Sequence, residues 1–374
     1  MIPGHDIQPR QRTARATAPH EAAATTVPLI ASALTLAIVL AFATPGTAVA
    51  RRLPPPPIEV VAVGDISLGS APGRLIASKG PKAPFTDFAP MLRSADVAVG
   101  NLECPISSRG SAVPGKTYTF RGDPKAVRGL AWAGFDLLAL GNNHARDYGG
   151  DALLDTMRHL RKAGISYTGA GKNRGEAFAA ASIDRAGSRI AFLSFSQIGP
   201  ADFAATDTRS GTAFVYRMDR KNVRAAIEKA ALRSDYVIVS YHWGIEKEYA
   251  PTASQVADGR FAIDAGADLV LSHHPHRIQG VEYYKKGLIA YSLGNFVFSP
   301  GSSGGRDTLA LTVRLGPKGV LSAHAVPAYI EATGRPVRPK GPTAKRILQI
   351  IERTSEGRGT RVNVRGETRA TLKR

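Results

Sequence analysis

The feature that most constrains this chain is a recurrence: short apolar runs, each ending at glycine or at polar, chemistry-bearing side chains. Ile58 to Val63 ends at Gly64-Asp65, Asp96 to Val99 at Gly100-Asn-Leu-Glu103, and Phe135 to Leu140 at Gly141-Asn-Asn-His144. Ile190 to Phe195 ends near Gln197, Tyr236 to Ser240 at His242, Leu269 to Leu271 at Ser-His-His-Pro-His276, and Leu288 to Tyr291 at Gly294-Asn295. Apolar runs of this length between amphipathic stretches read as buried strands alternating with helices, so the fold class is α/β. In open α/β sheets, ligands bind beyond the carboxyl ends of the strands. Asp65, Glu103, Asn143, His144, His242, His274 and His276 all fall at such ends, and their convergence predicts a site there.

The helices between these strands are also readable. Residues 124–133 open with Pro124 in a first turn, where its missing N–H costs nothing. Residues 150–163 place Leu153, Leu154, Met157 and Leu160 on one face at helical spacing, and 221–233 and 254–265 behave alike. Ala133-Gly134, Ala163-Gly164 and Ala265-Gly266 are helix ends, where glycine accepts a left-handed backbone. Asp307 to Val313 and Val320 to Tyr329 predict a hairpin around Gly316-Pro-Lys-Gly319. A helix over 343–354 follows a basic Pro/Gly-rich link and leads to a basic tail. The organisation expected is one domain over 58–332 and a basic extension over 333–374 with one helix.

The amino terminus reads differently. Residues 1–26 are polar and basic, Val27 to Ala43 is almost wholly apolar, and Ala48-Val-Ala50 is a small-x-small site. That order describes a secretory signal peptide over 1–50, cleaved after Ala50, or an uncleaved signal anchor of nearly spanning length. Either places the remainder outside the cytoplasm. Residues 51–57, with Pro54 to Pro57, form a stiff linker. The single cysteine, Cys104, excludes an intrachain disulfide and reads as a small buried hydrophobe. The net charge of +19 predicts a polyanionic environment. With only 7% aromatic residues and no compact basic block interleaved with aromatics, the chain is no nucleic-acid platform.

Three of the nine histidines, His273, His274 and His276, lie within four positions around Pro275. Proline restricts the backbone on both sides of itself, which pre-organises the two flanking rings. Neutral imidazole is the commonest metal ligand, so this segment is read as part of a metal site. Two carboxylates (Asp65, Glu103), one amide oxygen (Asn143) and four imidazoles suffice for one or two divalent ions. Asn101, Asn142, Glu246, His273 and Asn295 are placed around it as substrate contacts. His5, His20, His159 and His324 fit no cluster.

Taken in order, Gly64-Asp65, Gly100-Asn-Leu-Glu103, Gly141-Asn-Asn-His144 with Asp147-Tyr-Gly149, His242-Trp-Gly-Ile-Glu246, His273-His-Pro-His276 and Ser292-Leu-Gly-Asn-Phe296 resemble the CapA family of poly-γ-glutamate capsule biosynthesis proteins. The resemblance spans about residues 58–299. It implies the calcineurin-like metallophosphoesterase fold, a four-layer α-β-β-α sandwich. It further implies that Asp65 and His276 hold one metal, that Asn143, His242 and His274 hold another, and that Glu103 bridges them. His144 would give a proton to the leaving group, so Asp65, Glu103 and His144 form the catalytic set. The implied cofactor is one or two ions of Mn, Zn, Fe or Mg. The implied activity is hydrolysis of a phosphoester or amide bond, and the implied partners are an anionic polymer such as poly-γ-glutamate and membrane-bound synthase subunits. Two positions depart from the wider superfamily: Ser67 stands where a histidine usually follows Asp65 by two, and Glu103 stands for aspartate. The first departure implies a weakened first metal position. A non-catalytic subunit that binds polymer or synthase, and a general secreted metallophosphatase, are the rival readings.

Overall fold

The computed structural model describes residues 54–216, 219–301 and 303–374. The segment read as signal peptide or anchor lies outside the described residues, as does the start of the proline-rich linker. Among the described residues, no helix is long and apolar enough to cross a membrane.

Two sheets stack face to face. The larger has 10 strands. From Ile58–Ile66 to one edge, Val97–Leu102, Leu137–Ala139 and Ser166–Thr168 follow in parallel. On the other side of Ile58–Ile66, the sheet continues antiparallel through the hairpin Asp307–Gly316 and Gly319–Ile330. The smaller sheet has six strands, in the order Val281–Tyr284, Gly287–Ala290, Leu269–His273, Tyr236–His242, Ser188–Ser196 and Ala181–Arg185.

The layering follows from side-chain alternation along each strand. Val60 and Ala62 of the first strand join Ile190, Phe192, Ile238, Leu269 and Leu271 in the core between the sheets. Val61 and Val63 point the other way, into a second core with Phe85, Leu130, Leu153 and Leu160 from the covering helices. On the far face of the small sheet, Val237, Val239 and Val270 pack with Val223, Ile227 and Ile263 of the helices Arg220–Ala231 and Ala253–Asp264. The result is helix, sheet, sheet, helix, as the resemblance implied.

The carboxyl-terminal segment differs from expectation. Helix Gly341–Ser355 puts Ile347, Leu348, Ile350 and Ile351 into the core between the sheets. The tail beyond it is a hairpin, Arg361–Arg365 with Arg369–Lys373, whose second strand pairs antiparallel with Gly319–Ile330. Residues 333–374 therefore complete the sandwich, and the boundary drawn at 332 falls inside one packed unit. The helices Ser70–Lys79 and Ala89–Ser94 also went unread.

Candidate metal centre

The backbone brings the strand ends to one place. Gly64 lets strand Ile58–Ile66 approach the Gly294 turn so closely that a Cβ there would lie 2.0 Å from the Gly294 carbonyl oxygen. Asp65 N donates to that oxygen at 3.0 Å, and the pairing register of the strand slips immediately after Asp65. Such an irregularity re-aims a side chain at a sheet rim. On strand Tyr236–His242, Tyr241 and the following Trp243 face the outer core, where their rings stack 4.4 Å apart. His242, between them, must face the opposite way, toward the site.

His274 and His276 have positive φ angles of 94° and 55°. The first lies outside the extended region that a residue before proline favours. Such conformations cost about 1–3 kcal/mol each and persist only where the surroundings over-determine them. Here His274 N donates to Asp65 Oδ2 at 3.3 Å, and Lys247 N donates to the Pro275 carbonyl at 2.8 Å.

The side chains form a buried polar cluster. Asp65 is fully buried, with Oδ1 accepting from Asn101 Nδ2 at 2.9 Å. His273 Nδ1 lies 3.2 Å from Asp65 Oδ1, out of line for a hydrogen bond, and His276 Nδ1 lies 3.3 Å from Oδ2. Burial would raise the Asp65 carboxyl, but the His273 and His276 imidazoles outweigh it and hold the group well below the usual carboxylate range. Glu103 is also fully buried, and neither of its carboxylate oxygens has a hydrogen-bond partner. Burial first, then the negative charge of Asp65, pushes Glu103 well above its usual range. Its Oε1 lies 3.5 Å from His242 Nε2 and 3.9 Å from His144 Nε2. Burial also pushes His242 well down and His274 down to about 3, so both imidazoles are neutral with a lone pair to offer at neutral pH.

Among the described residues, three groups of donor atoms each lie within 4.8 Å of one another: Glu103 with His242 and His274; Asp65 with Glu103 and His276; and Glu246 with His274 and His276. Asn143 Oδ1 adds an oxygen 2.8 Å from His242 Nε2. A buried carboxylate with no partner costs several kcal/mol unless a cation or proton compensates it. Glu103, shared by the first two groups, is where a divalent ion fits best. Mixed carboxylate, amide and imidazole donors suit Mn, Zn or Fe, and less well Mg.

His144 stands beside this cluster with its own support. Its Nδ1 lies 2.7 Å from Asp147 Oδ2 and 3.1 Å from Lys116 Nζ, and Lys116 also pairs with Asp147 Oδ1. Phe120 lies against the ring at 4.3 Å between centroids. Burial lowers the His144 imidazole although Asp147 pulls it the other way. With Nδ1 committed to Asp147, Nε2 is left facing Glu103.

The other candidates take varied places. Asn101 bridges Asp65 and Asn142, and its amide lies 3.4 Å from His242 Nδ1. Asn142 spends its amide on Asn101 and the Leu102 carbonyl and its oxygen on His144 N. Asn295 accepts from His276 Nδ1 at 2.8 Å and donates to the Gly305 carbonyl. Asn101 and Asn295 brace the ligating side chains directly, and Asn142 holds Asn101 in place. Glu246 is exposed at the rim, and His159 pairs instead with Asp155 at 3.3 Å. Sequence reasoning missed Lys116 and gave Asp147 no role. Asp147, three residues beyond His144, carried a signal; Lys116, in the irregular 103–123 connection, carried none.

Comparison with known proteins identifies the family. The model of the family "Bacterial capsule synthesis protein PGA_cap" matches residues 59–300. The chain is 30% identical over 305 residues to the capsule biosynthesis protein CapA of Bacillus anthracis, covering 80% of this chain and 74% of that one. It is 31% identical over 296 residues to the PGA biosynthesis protein CapA of Bacillus subtilis, covering 78% and 77%. A probable polyglutamine synthesis accessory protein of Mycobacterium tuberculosis is 30% identical over 230 residues, 59% of this chain and 60% of that one. The chain therefore belongs to the PGA_cap family of bacterial capsule synthesis proteins.

Proposed function

We propose that this protein is an exported, metal-dependent hydrolase that acts on an anionic surface polymer of the poly-γ-glutamate type during its synthesis or export. The observation that carries the reading is the fully buried, unpartnered Glu103 carboxylate between neutral imidazoles. Asp65, Glu103 and His276 would hold one ion, and Glu103, Asn143, His242 and His274 a second. A bound divalent ion supplies Lewis acidity and activates water. The chain does the rest. The amides of Asn101 and Asn295 fix the Asp65 carboxylate and the His276 ring, and Asn142 holds Asn101. Asp147, itself paired with Lys116, holds the Nδ1 proton of His144, so Nε2 takes a proton from the attacking water and passes it to the departing atom of the scissile phosphoester or amide. Export rests on the Val27 to Ala43 run and Ala48-Val-Ala50, and synthase subunits in the membrane are the proposed partners.

The test is a hydrolysis panel, with a phosphodiester and a γ-glutamyl oligomer, run on metal-loaded protein and on His144→Ala. The expected result is turnover of the γ-glutamyl bond that falls in His144→Ala while metal content holds. Metal binding with no turnover of either substrate would make the cleft a binding site of a non-catalytic subunit.

A further inference from the structure

Behind the His274–His276 turn lies a cavity of about 740 Å³ that the metal cluster does not use. Its walls carry Lys247, Arg277, Arg346 and Arg353 against one carboxylate, Asp307, with Tyr249 between them. The volume is within the roughly 300–1,000 Å³ of ordinary ligand pockets. The cavity and the cluster share a wall. Arg277 follows His276 and donates to its carbonyl at 2.9 Å, and Lys247 N is bonded to Pro275. Gly304 lines the cavity, and the adjoining Gly305 carbonyl accepts from Asn295, which also holds His276.

Two of the cations face it without a competing carboxylate. Among the described residues, no acidic group lies within salt-bridge distance of Lys247 or Arg353, and both are exposed. Arg346 shows how the cavity treats a carboxylate: it grips Asp307 through Nε at 3.0 Å and Nη2 at 2.8 Å. This planar two-point grip favours carboxylate or phosphate over other groups. Arg346 and Arg353 come from helix Gly341–Ser355, beyond the residues matched by the family model.

We propose that this cavity is an anion subsite that holds the free α-carboxylates of the γ-linked polymer next to the segment lying in the metal cleft. The inference rests on the polymer reading above, but not on turnover. A carboxylate chain is the occupant because the polymer of the proposed function carries one free carboxylate per residue, while the arginine fork itself fits carboxylate and phosphate alike.

The test measures binding of a labelled γ-linked glutamate decamer to the full chain by fluorescence anisotropy at fixed salt. The double variant Lys247→Met with Arg353→Gln should weaken binding roughly tenfold, since exposed ion pairs contribute up to about fivefold each. Bound metal should not change. Lys79→Met with Lys162→Gln removes the same charge from remote helices and should shift binding by less than about twofold. Equal losses in both double variants, no loss in the first, or no binding by the parent chain would overturn the subsite. Tighter binding of a glycerol-phosphate decamer of equal charge would overturn the carboxylate assignment. A chain that binds through these residues yet hydrolyses nothing keeps this inference and loses the hydrolase reading. Hydrolysis indifferent to the two substitutions does the reverse.

Discussion

Asp147→Asn separates the support of His144 from the metal ligands. The Asp147 carboxylate accepts from three donors: Lys116 Nζ at Oδ1, and His144 Nδ1 and Phe120 N at Oδ2, both at 2.7 Å. An asparagine has the same shape but only one oxygen. With that oxygen toward His144 and Phe120, its NH₂ meets the Lys116 ammonium donor to donor. Flipped, it meets the Phe120 N–H instead. One donor at this buried position is left unpaired either way, which costs about 1–3 kcal/mol. Loss of the ion pair adds to this, held to the lower end because Lys116 keeps 14% side-chain exposure and can rehydrate. We expect urea denaturation to show a loss of about 2–4 kcal/mol with an unchanged m-value. Hydrolysis by the metal-loaded protein should fall by about 10²–10⁴, because the ring no longer holds one tautomer with Nε2 toward the cleft. Metal content should be unchanged, as Asp147 belongs to none of the chelating groups. Unchanged turnover with the expected stability loss would show that Asp147 is structural and that His144 does not carry the proton.

Three further outcomes follow from the geometry. Ile347→Ala should cost about 2–5 kcal/mol, since Ile347 is fully buried in the core between the sheets; a loss under about 0.5 kcal/mol would mark 333–374 as a loosely attached extension. Cys104, buried and with its thiol pushed up to about 12, should resist alkylation at pH 8 in the native protein and react only after denaturation. Burial would raise Asp155, but Arg158 and Ser107 outweigh it and lower the group. A depressed carboxyl contributes stability that is present above its unfolded value near 4 and lost as pH falls through the folded value. Stability should therefore drop below about pH 4 by less in Asp155→Asn than in the parent, and identical acid limbs would remove Asp155 from the account.

Much of this architecture was legible because buried parallel strands announce themselves as apolar runs, and this chain places its polar groups at their ends. Val60 and Val61, facing opposite cores, needed no periodicity to be read as strand. The terminal hairpin was harder. Val362, Val364, Ala370 and Leu372 alternate with Asn363, Thr371 and basic residues, so composition suggested a tail where the two-residue period indicates a charged edge strand. Helix Ser70–Lys79 begins Ser-Ala-Pro-Gly, which reads as a loop. Within the site, the ligating types could be picked from the strand ends. Their division into ion holders such as Glu103 and braces such as Asn142 depends on hydrogen-bond partners far apart in sequence. Lys116 reaches His144 across 28 residues through an irregular segment, so only the fold reveals it.

The metal centre stands or falls on a cation at Glu103. The most direct measurement is divalent metal content by mass spectrometry of the chain and of Glu103→Gln, after equilibration with Mn, Zn, Fe and Mg in turn. His159→Gln, which alters an imidazole outside the cluster, serves as control. We expect at least one equivalent in the parent and in His159→Gln, substoichiometric metal in Glu103→Gln, and a melting temperature that falls on chelation only where metal was bound. If the parent holds no metal under any of these conditions, or Glu103→Gln holds as much as the parent, the unpartnered carboxylate has another explanation and the metal centre is wrong.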